Sequence, residues 1–174
     1  MDASAAVASA IGSTPFPEVP DLGENQWGVN LVKAPEVWNQ GFQGNGVVVA
    51  VIDSGVDYTH PELTGQIWKN SGEIPNNNID DDVNGYVDDV QGWDFFDNDN
   101  DPRDEKGHGT HIAGTIAAKR DGIGTTGVAP NVQIMPLRVL NDQGEGKVSD
   151  SIKAIRYAVT VSYTHLRAHE TINH

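Results

Sequence analysis

Asp53, in the run VVVAVIDSGVD, and His108, in GHGTHIAGT, are the residues of this chain best suited to chemistry. Together they offer two of the three parts of nucleophilic catalysis. A hydroxyl nucleophile needs a base to take its proton. An imidazole base needs a carboxylate that fixes its tautomer and favours its protonated form. Gly107 and Gly109 flank the histidine and leave backbone free to approach a substrate without Cβ crowding. A third part, a serine in a nucleophile-like context, does not follow. Ser149 and Ser151 belong to a helix start, and Ser54 reads as a turn residue at a strand end. His111 and His60 read as packed, hydrogen-bonded interior histidines. The pair His108/His111 would suit zinc by spacing, but no acidic third ligand follows.

The elements that must position these side chains are legible from periodicity. Residues 47–52 are a continuous, mostly β-branched apolar run, which reads as a buried parallel strand with Asp53 at its carboxyl end. In open α/β sheets working residues collect there. A helix is expected from near His108 to about Ala118. Residues 132–140 read as a second buried strand, exposed as an edge. A further helix begins at SDSIKAIRYAV, with Ser149 as N-cap and Ile152, Ile155 and Ala158 or Val159 facing inward. A short helix is expected within residues 26–41, closed by Gly41. Residues 70–106 are a polar excursion in which VQGWDFF could form a short strand. The order predicts an α/β fold, a three-layer sandwich with a mostly parallel sheet and right-handed crossovers, here incomplete.

At 174 residues the chain is one domain or most of one. A formal charge of −14 repels phosphate backbones and argues against nucleic acid as a partner. No apolar run is long enough to span a membrane, and cysteine is absent. Residues 1–22 read as an N-terminal extension, either disordered or the remnant of a processed pro-segment, with Asp2 where a signal peptide wants positive charge. The loop from Asp80 to Asp88 starts like an EF-type loop, with Asp80, Asp82, Asn84, the Tyr86 carbonyl and Asp88 as candidate ligands. It has Gln91 in place of the closing glutamate. It reads either as a calcium loop or as a solvated acidic surface.

D-S-G-V-D followed by H-P-E-L, then G-H-G-T-H-I-A-G-T, then G-V-A-P resembles the subtilisin-like (subtilase) serine proteases, over residues 26–160. Carboxylate before histidine is the order of that family. The resemblance implies a serine-type endopeptidase with Asp53 as the carboxylate and His108, not His111, as general base. It implies that Leu140 and the loop Gly144, Glu145, Gly146 form an extended edge that pairs with the substrate backbone by strand addition. Glu145 would favour basic residues on the P4 side. It also implies a calcium clamp from Glu62, the carbonyls of Lys119, Ile123 and Thr125, and the Asp121 carboxylate, with Asp21 or Gln26 as an N-terminal ligand. The family's oxyanion asparagine and its nucleophile, in G-T-S-x-A, do not occur in these residues, so the polypeptide as written is expected to be inactive. The implied parent is a monomeric, extracellular or cell-envelope enzyme acting on polypeptides. The competing reading is a non-catalytic subtilase-like or calcium-binding interaction module.

Residues 161–171, VSYTHLRAHET, resemble the conceptual translation of a transposon sequencing adapter. That implies a peptidase segment over 23–160 and a non-native tail over 161–174. His165, His169 and His174 are accordingly assigned no function.

Overall fold

Five of the six residues in 47–52 are β-branched, which suits a pleated strand. In the computed structural model Val48–Asp53 forms the strand β1. The structure describes residues 2–22 and 26–170, and of 162–170 the backbone only. The elements in order are α1 (Ala3–Ala10), α2 (Trp27–Leu31), α3 (Ala34–Asn39), β1, a 3-10 turn (Pro61–Leu63), β2 (Trp93–Asp94), α4 (His108–Ala117), β3 (Gln133–Arg138) and α5 (Val148–Glu170).

The described strands form one sheet in the order β1-β3-β2, with both pairings parallel. The fold is therefore the expected α/β arrangement with a parallel sheet. Strand β3 is not the expected edge: it lies in the middle, with Asp53 opposite Arg138 and Asp94 opposite the same Arg138. The alternation of β3 builds three layers. Ile134 joins Val51, Val56, Leu63, Ala113 and Ala117 on the α4 side. Met135, Leu137 and Val139 join Trp68, Trp93, Phe95, Ala154, Tyr157 and Val161 on the α5 side. Strand β1 is less covered than its sequence suggests, since only Val51 within it is fully buried.

Four further expectations are corrected. The helix within 26–41 is two short helices, because Lys33 takes a left-handed conformation (φ 57°) between them, and Gly41 (φ 89°) follows the second. Helix α5 starts at Val148, so Ser149 lies inside its first turn rather than capping it. Its inward face carries Asp150, Ala154, Tyr157 and Val161, while Val148, Ile152, Ile155 and Val159 are exposed and Ala158 is partly buried against the core. The aromatic ring decides this phase. Tyr157 stacks edge-on against Tyr86 and Phe95, at 5.1 and 5.8 Å between ring centroids, and its hydroxyl donates to buried Asp89. Finally, residues 2–22 are not disordered. Asp2 caps α1 through the Ala5 amide (3.0 Å), the Ala3 amide donates to the Val32 carbonyl (2.8 Å), and Phe16 stacks on Phe42. Helix α5 continues through the expected boundary at Val161, whose side chain is buried. The side chains of His165 and His169, and all of 171–174 with His174, lie outside the described residues.

Candidate active site

Asp53 ends β1, and its carbonyl accepts the amides of Val139 (2.8 Å) and Leu140 (3.3 Å), which fixes the strand end against β3. Its carboxylate is 13% exposed. The oxygen Oδ1 accepts the Ser54 amide (2.7 Å) and stands 2.7 Å from His108 Nδ1. The His108 ring is 60% exposed. A carboxylate against Nδ1 selects the tautomer that carries its proton there, which leaves Nε2 as an acceptor on the open side.

The approach of α4 to β1 depends on Gly109. A methyl group built there would fall 2.1 Å from the Gly55 carbonyl oxygen and 3.2 Å from Asp53 Cβ. Gly109→Ala is therefore expected to push the first turn of α4 away from Asp53 and to cost about 1–3 kcal/mol of stability, the usual range for overpacking. Denaturant unfolding would measure this, and a variant as stable as the parent would show that the turn yields freely.

The two other histidines of the motifs are not interior, as the sequence suggests. His111 is exposed and opens onto a cavity of about 970 Å³ between α2 and α4. His60 is exposed too, and its Nδ1 accepts the Glu62 amide (3.2 Å) at the start of the 3-10 turn. A local capping bond holds the His60 ring where core packing was expected.

The segment expected as a substrate edge folds back on itself. The Asn141 amide donates to the Glu145 carbonyl (2.9 Å), and Asn141 Oδ1 accepts the amides of Gln143 and Glu145. Leu140 is half-buried at the end of β3, Gly144 (φ 83°) makes the turn, and Glu145 and Gly146 are exposed. Lys106, two residues before His108, reaches this turn, since a methyl on Gly144 would meet its Nζ at 2.3 Å.

Glu62, Gln26 and the loop 119–126 come together. The Lys119 amide donates to the Glu62 carbonyl (3.1 Å), and the Gly124 position faces Glu62 Oε1. Gln26 spans the loop, donating to the Gly124 carbonyl (3.1 Å) and accepting the Thr126 amide (3.0 Å). Glu62 Oε2 is buried without a hydrogen-bond partner among the described residues. An orphaned carboxylate oxygen facing a carbonyl-rich loop fits a hard cation. Asp121 accepts the Ile123 amide (3.0 Å) within the loop, and Ile123 is exposed. Asp21 is exposed.

The acidic loop is arranged differently from its EF-type spacing. Asp80 accepts the amides of Asn84 and Gly85, Asn84 Oδ1 accepts the Tyr86 amide, and Asp88 turns away to accept those of Asn77 and Asn78. The carboxylates that converge are Glu73, Asp82 and Asp89, with one oxygen from each lying within 4.8 Å of the others. Such a set could hold a metal ion. Burial, followed by the charges of Asp89 and Asp82, raises the Glu73 carboxyl, although the Asp81 and Asp82 amides oppose the shift. Burial likewise raises Asp89, against the hydrogen bonds of Tyr157, Asn84 and Asn70. The sequence reading missed Glu73 and Asp89, because neither falls on the EF-type alternation.

Taken together, the arrangement can accept a proton at His108 Nε2 and stabilise the resulting imidazolium. Residues 44–171 match the family model described as the Subtilase family. Over 139 residues the chain is 36% identical to "Subtilisin-like protease 1" of Plasmodium berghei (strain Anka), covering 77% of this chain and 23% of that protein. Over 143 residues it is 37% identical to the "Major intracellular serine protease" of Bacillus subtilis (strain 168), covering 82% and 39%. A solved cold adapted subtilisin-like serine proteinase aligns at 35% identity and a TM-score of 0.49, over 68% of this chain and 34% of that one. The chain thus spans less than half the length of the relatives it matches.

Proposed function

This chain belongs to the subtilase family of serine proteases, and on that premise we propose that it carries the base and carboxylate of an endopeptidase site whose serine lies outside these 174 residues. The observation that carries the reading is the 2.7 Å contact between a shielded Asp53 and the Nδ1 of an exposed His108. In the proposed reaction His108 Nε2 takes the nucleophile's hydroxyl proton as the hydroxyl attacks a peptide carbonyl. The positive charge then on the imidazole is stabilised by Asp53, and the same nitrogen passes the proton to the leaving amine. The substrate is a polypeptide that passes beside the exposed end of the turn at Gly144, Glu145 and Gly146, with Glu145 favouring basic side chains.

Calcium is the metal we assign to the two acidic sites, because they offer oxygen donors throughout. At one, Glu62 and the loop 119–125 would hold the ion with Gln26 alongside. At the other, Glu73, Asp82 and Asp89 would hold it. Bound calcium would supply cross-links between loops, and the proton transfers at His108 need nothing from it.

The test is peptide turnover by the full-length protein and by the 174-residue chain, each with and without a serine-directed acylating inhibitor. The full-length protein is expected to be active and inhibited, and the short chain inert. Inhibitor-sensitive turnover by the short chain would sink its assignment as a half-site. A full-length protein that cleaves no peptide would favour the interaction-module reading.

A further inference from the structure

Asp104, four residues before His108, accepts hydrogen bonds from two directions. From the strand side comes the Ser54 hydroxyl (2.9 Å). From the helix side come the amides of Lys106 (2.9 Å), Gly107 (2.8 Å) and Thr110 (2.8 Å), and the Thr110 hydroxyl (2.6 Å). Both partners are themselves tied to the catalytic strand end. Ser54 Oγ accepts the Gly109 amide (3.1 Å), and the Ser54 amide donates to the same Asp53 oxygen that meets His108. Thr110 Oγ1 accepts the Asp57 amide (2.8 Å).

We infer that Asp104 is the positioning residue that holds His108 in register with Asp53, an inference that rests on the reading of His108 as general base. Helix α4 is capped by Gly107, which has no side chain to offer its first turn. Asp104 satisfies those amides from outside the helix and joins them to Ser54. Removing it would leave His108 on a helix end with no side-chain tie to the loop after β1 beyond the contacts of Ser54 and Thr110 themselves. There is also an electrostatic consequence. His108 is the first residue of α4, where the positive end of the helix dipole opposes a protonated ring. A carboxylate bound to the same amides offsets that opposition. Burial alone would raise the Asp104 carboxyl, but the hydrogen bonds of Thr110, Gly107 and Lys106 outweigh it and hold it below the usual range, so it stays charged.

The test is the tautomer of neutral His108, read from ring nitrogen shifts in the 174-residue chain. The parent is expected in the Nδ1–H form. Asp104→Ala and Thr110→Val are expected to lower the Nδ1–H to Nε2–H ratio about ten-fold, the loss of one charge-assisted bond. Thr110→Ser keeps both hydroxyl bonds and should restore it. Gly65→Ala, strained at φ 85° and remote from the site, serves as a control for destabilisation alone. Should Asp104→Ala not fold, Thr110→Val against Thr110→Ser carries the comparison. If these variants only lower the melting midpoint, as the control does, Asp104 is a helix cap and the inference fails. If the parent itself lacks the Nδ1–H form, the reading of Asp53 and His108 as a pair fails first.

Discussion

On the proposed function, His108→Ala in the full-length protein is expected to lower kcat by about 10⁶, and Asp53→Asn by about 10⁴, magnitudes known from the worked cases of subtilisin and chymotrypsin-type triads. The first corresponds to about 8 kcal/mol of transition-state stabilisation. The physical grounds differ between the two. Alanine removes the imidazole that the proposed reaction uses to take the nucleophile's proton. Asparagine keeps the shape of Asp53 but can present an N–H to His108 Nδ1, which reverses the tautomer and spends Nε2 as a donor. Neither change should disturb folding much, since the His108 ring is mostly exposed and Asp53→Asn gives up at most the bond from the Ser54 amide. KM should therefore stay within a few-fold. Steady-state kinetics on a peptide substrate would check both. A loss below about 100-fold for His108→Ala would mean that another group serves as base, because general base catalysis alone contributes about 10²–10⁴.

The second large effect is expected at Asp89, which is fully buried and accepts hydrogen bonds from Asn70, Asn84 and Tyr157. Asp89→Ala strands the buried donors of Asn70 and Tyr157 and the half-buried one of Asn84, and should cost about 3 kcal/mol or more. It should also remove the stabilisation that calcium supplies at this cluster. In the parent, calcium at about 100 times its dissociation constant should add about 2.7 kcal/mol, or roughly 5–10 °C in the melting midpoint of a chain this size. Chelation should reverse the shift. The pH dependence has a definite sign. Glu73 and Asp89 both have raised carboxyls in the folded state, so without metal the fold gains stability as pH falls through those raised values toward the unfolded ones. Protons then compete with the ion, and the calcium-induced shift should shrink over the same range. Melts with calcium and with chelator at two pH values would settle the matter. A midpoint indifferent to both at neutral pH would rule out a cation at this cluster.

How far the sequence could be read follows from how local each feature is. Strand β1 and its terminal Asp53 were legible because a β-branched run ending in a carboxylate is a local pattern. The start of α4 at His108 was legible for the same reason. The ligand geometry of the acidic loop was not. Left-handed backbone at Val83 (φ 59°) and Asp88 (φ 55°) breaks the alternation that the EF-type spacing assumes. Asp88 is sent to Asn77 and Asn78, and Asp89 takes its place inside. The phase of α5 was misread because Ile152 and Ile155 are the more apolar residues. Tyr157 wins the interior instead, since it buries a large ring against Tyr86 and Phe95 and gives its hydroxyl to Asp89.

The sequence by itself thus determined the family and the parallel α/β architecture, and it singled out Asp53 and His108 as the proposed carboxylate and base. Each of these is carried by residue type and short-range spacing. Only the tertiary structure decided that β3 is central, that Glu73 and Asp89 rather than Asp80 and Asp88 join Asp82, and that Asp104 ties the helix of His108 to the strand end of Asp53. Those outcomes depend on where long loops bring distant backbone amides and carboxylates together. A hydrogen bond fixed by such convergence leaves no periodic trace along the chain.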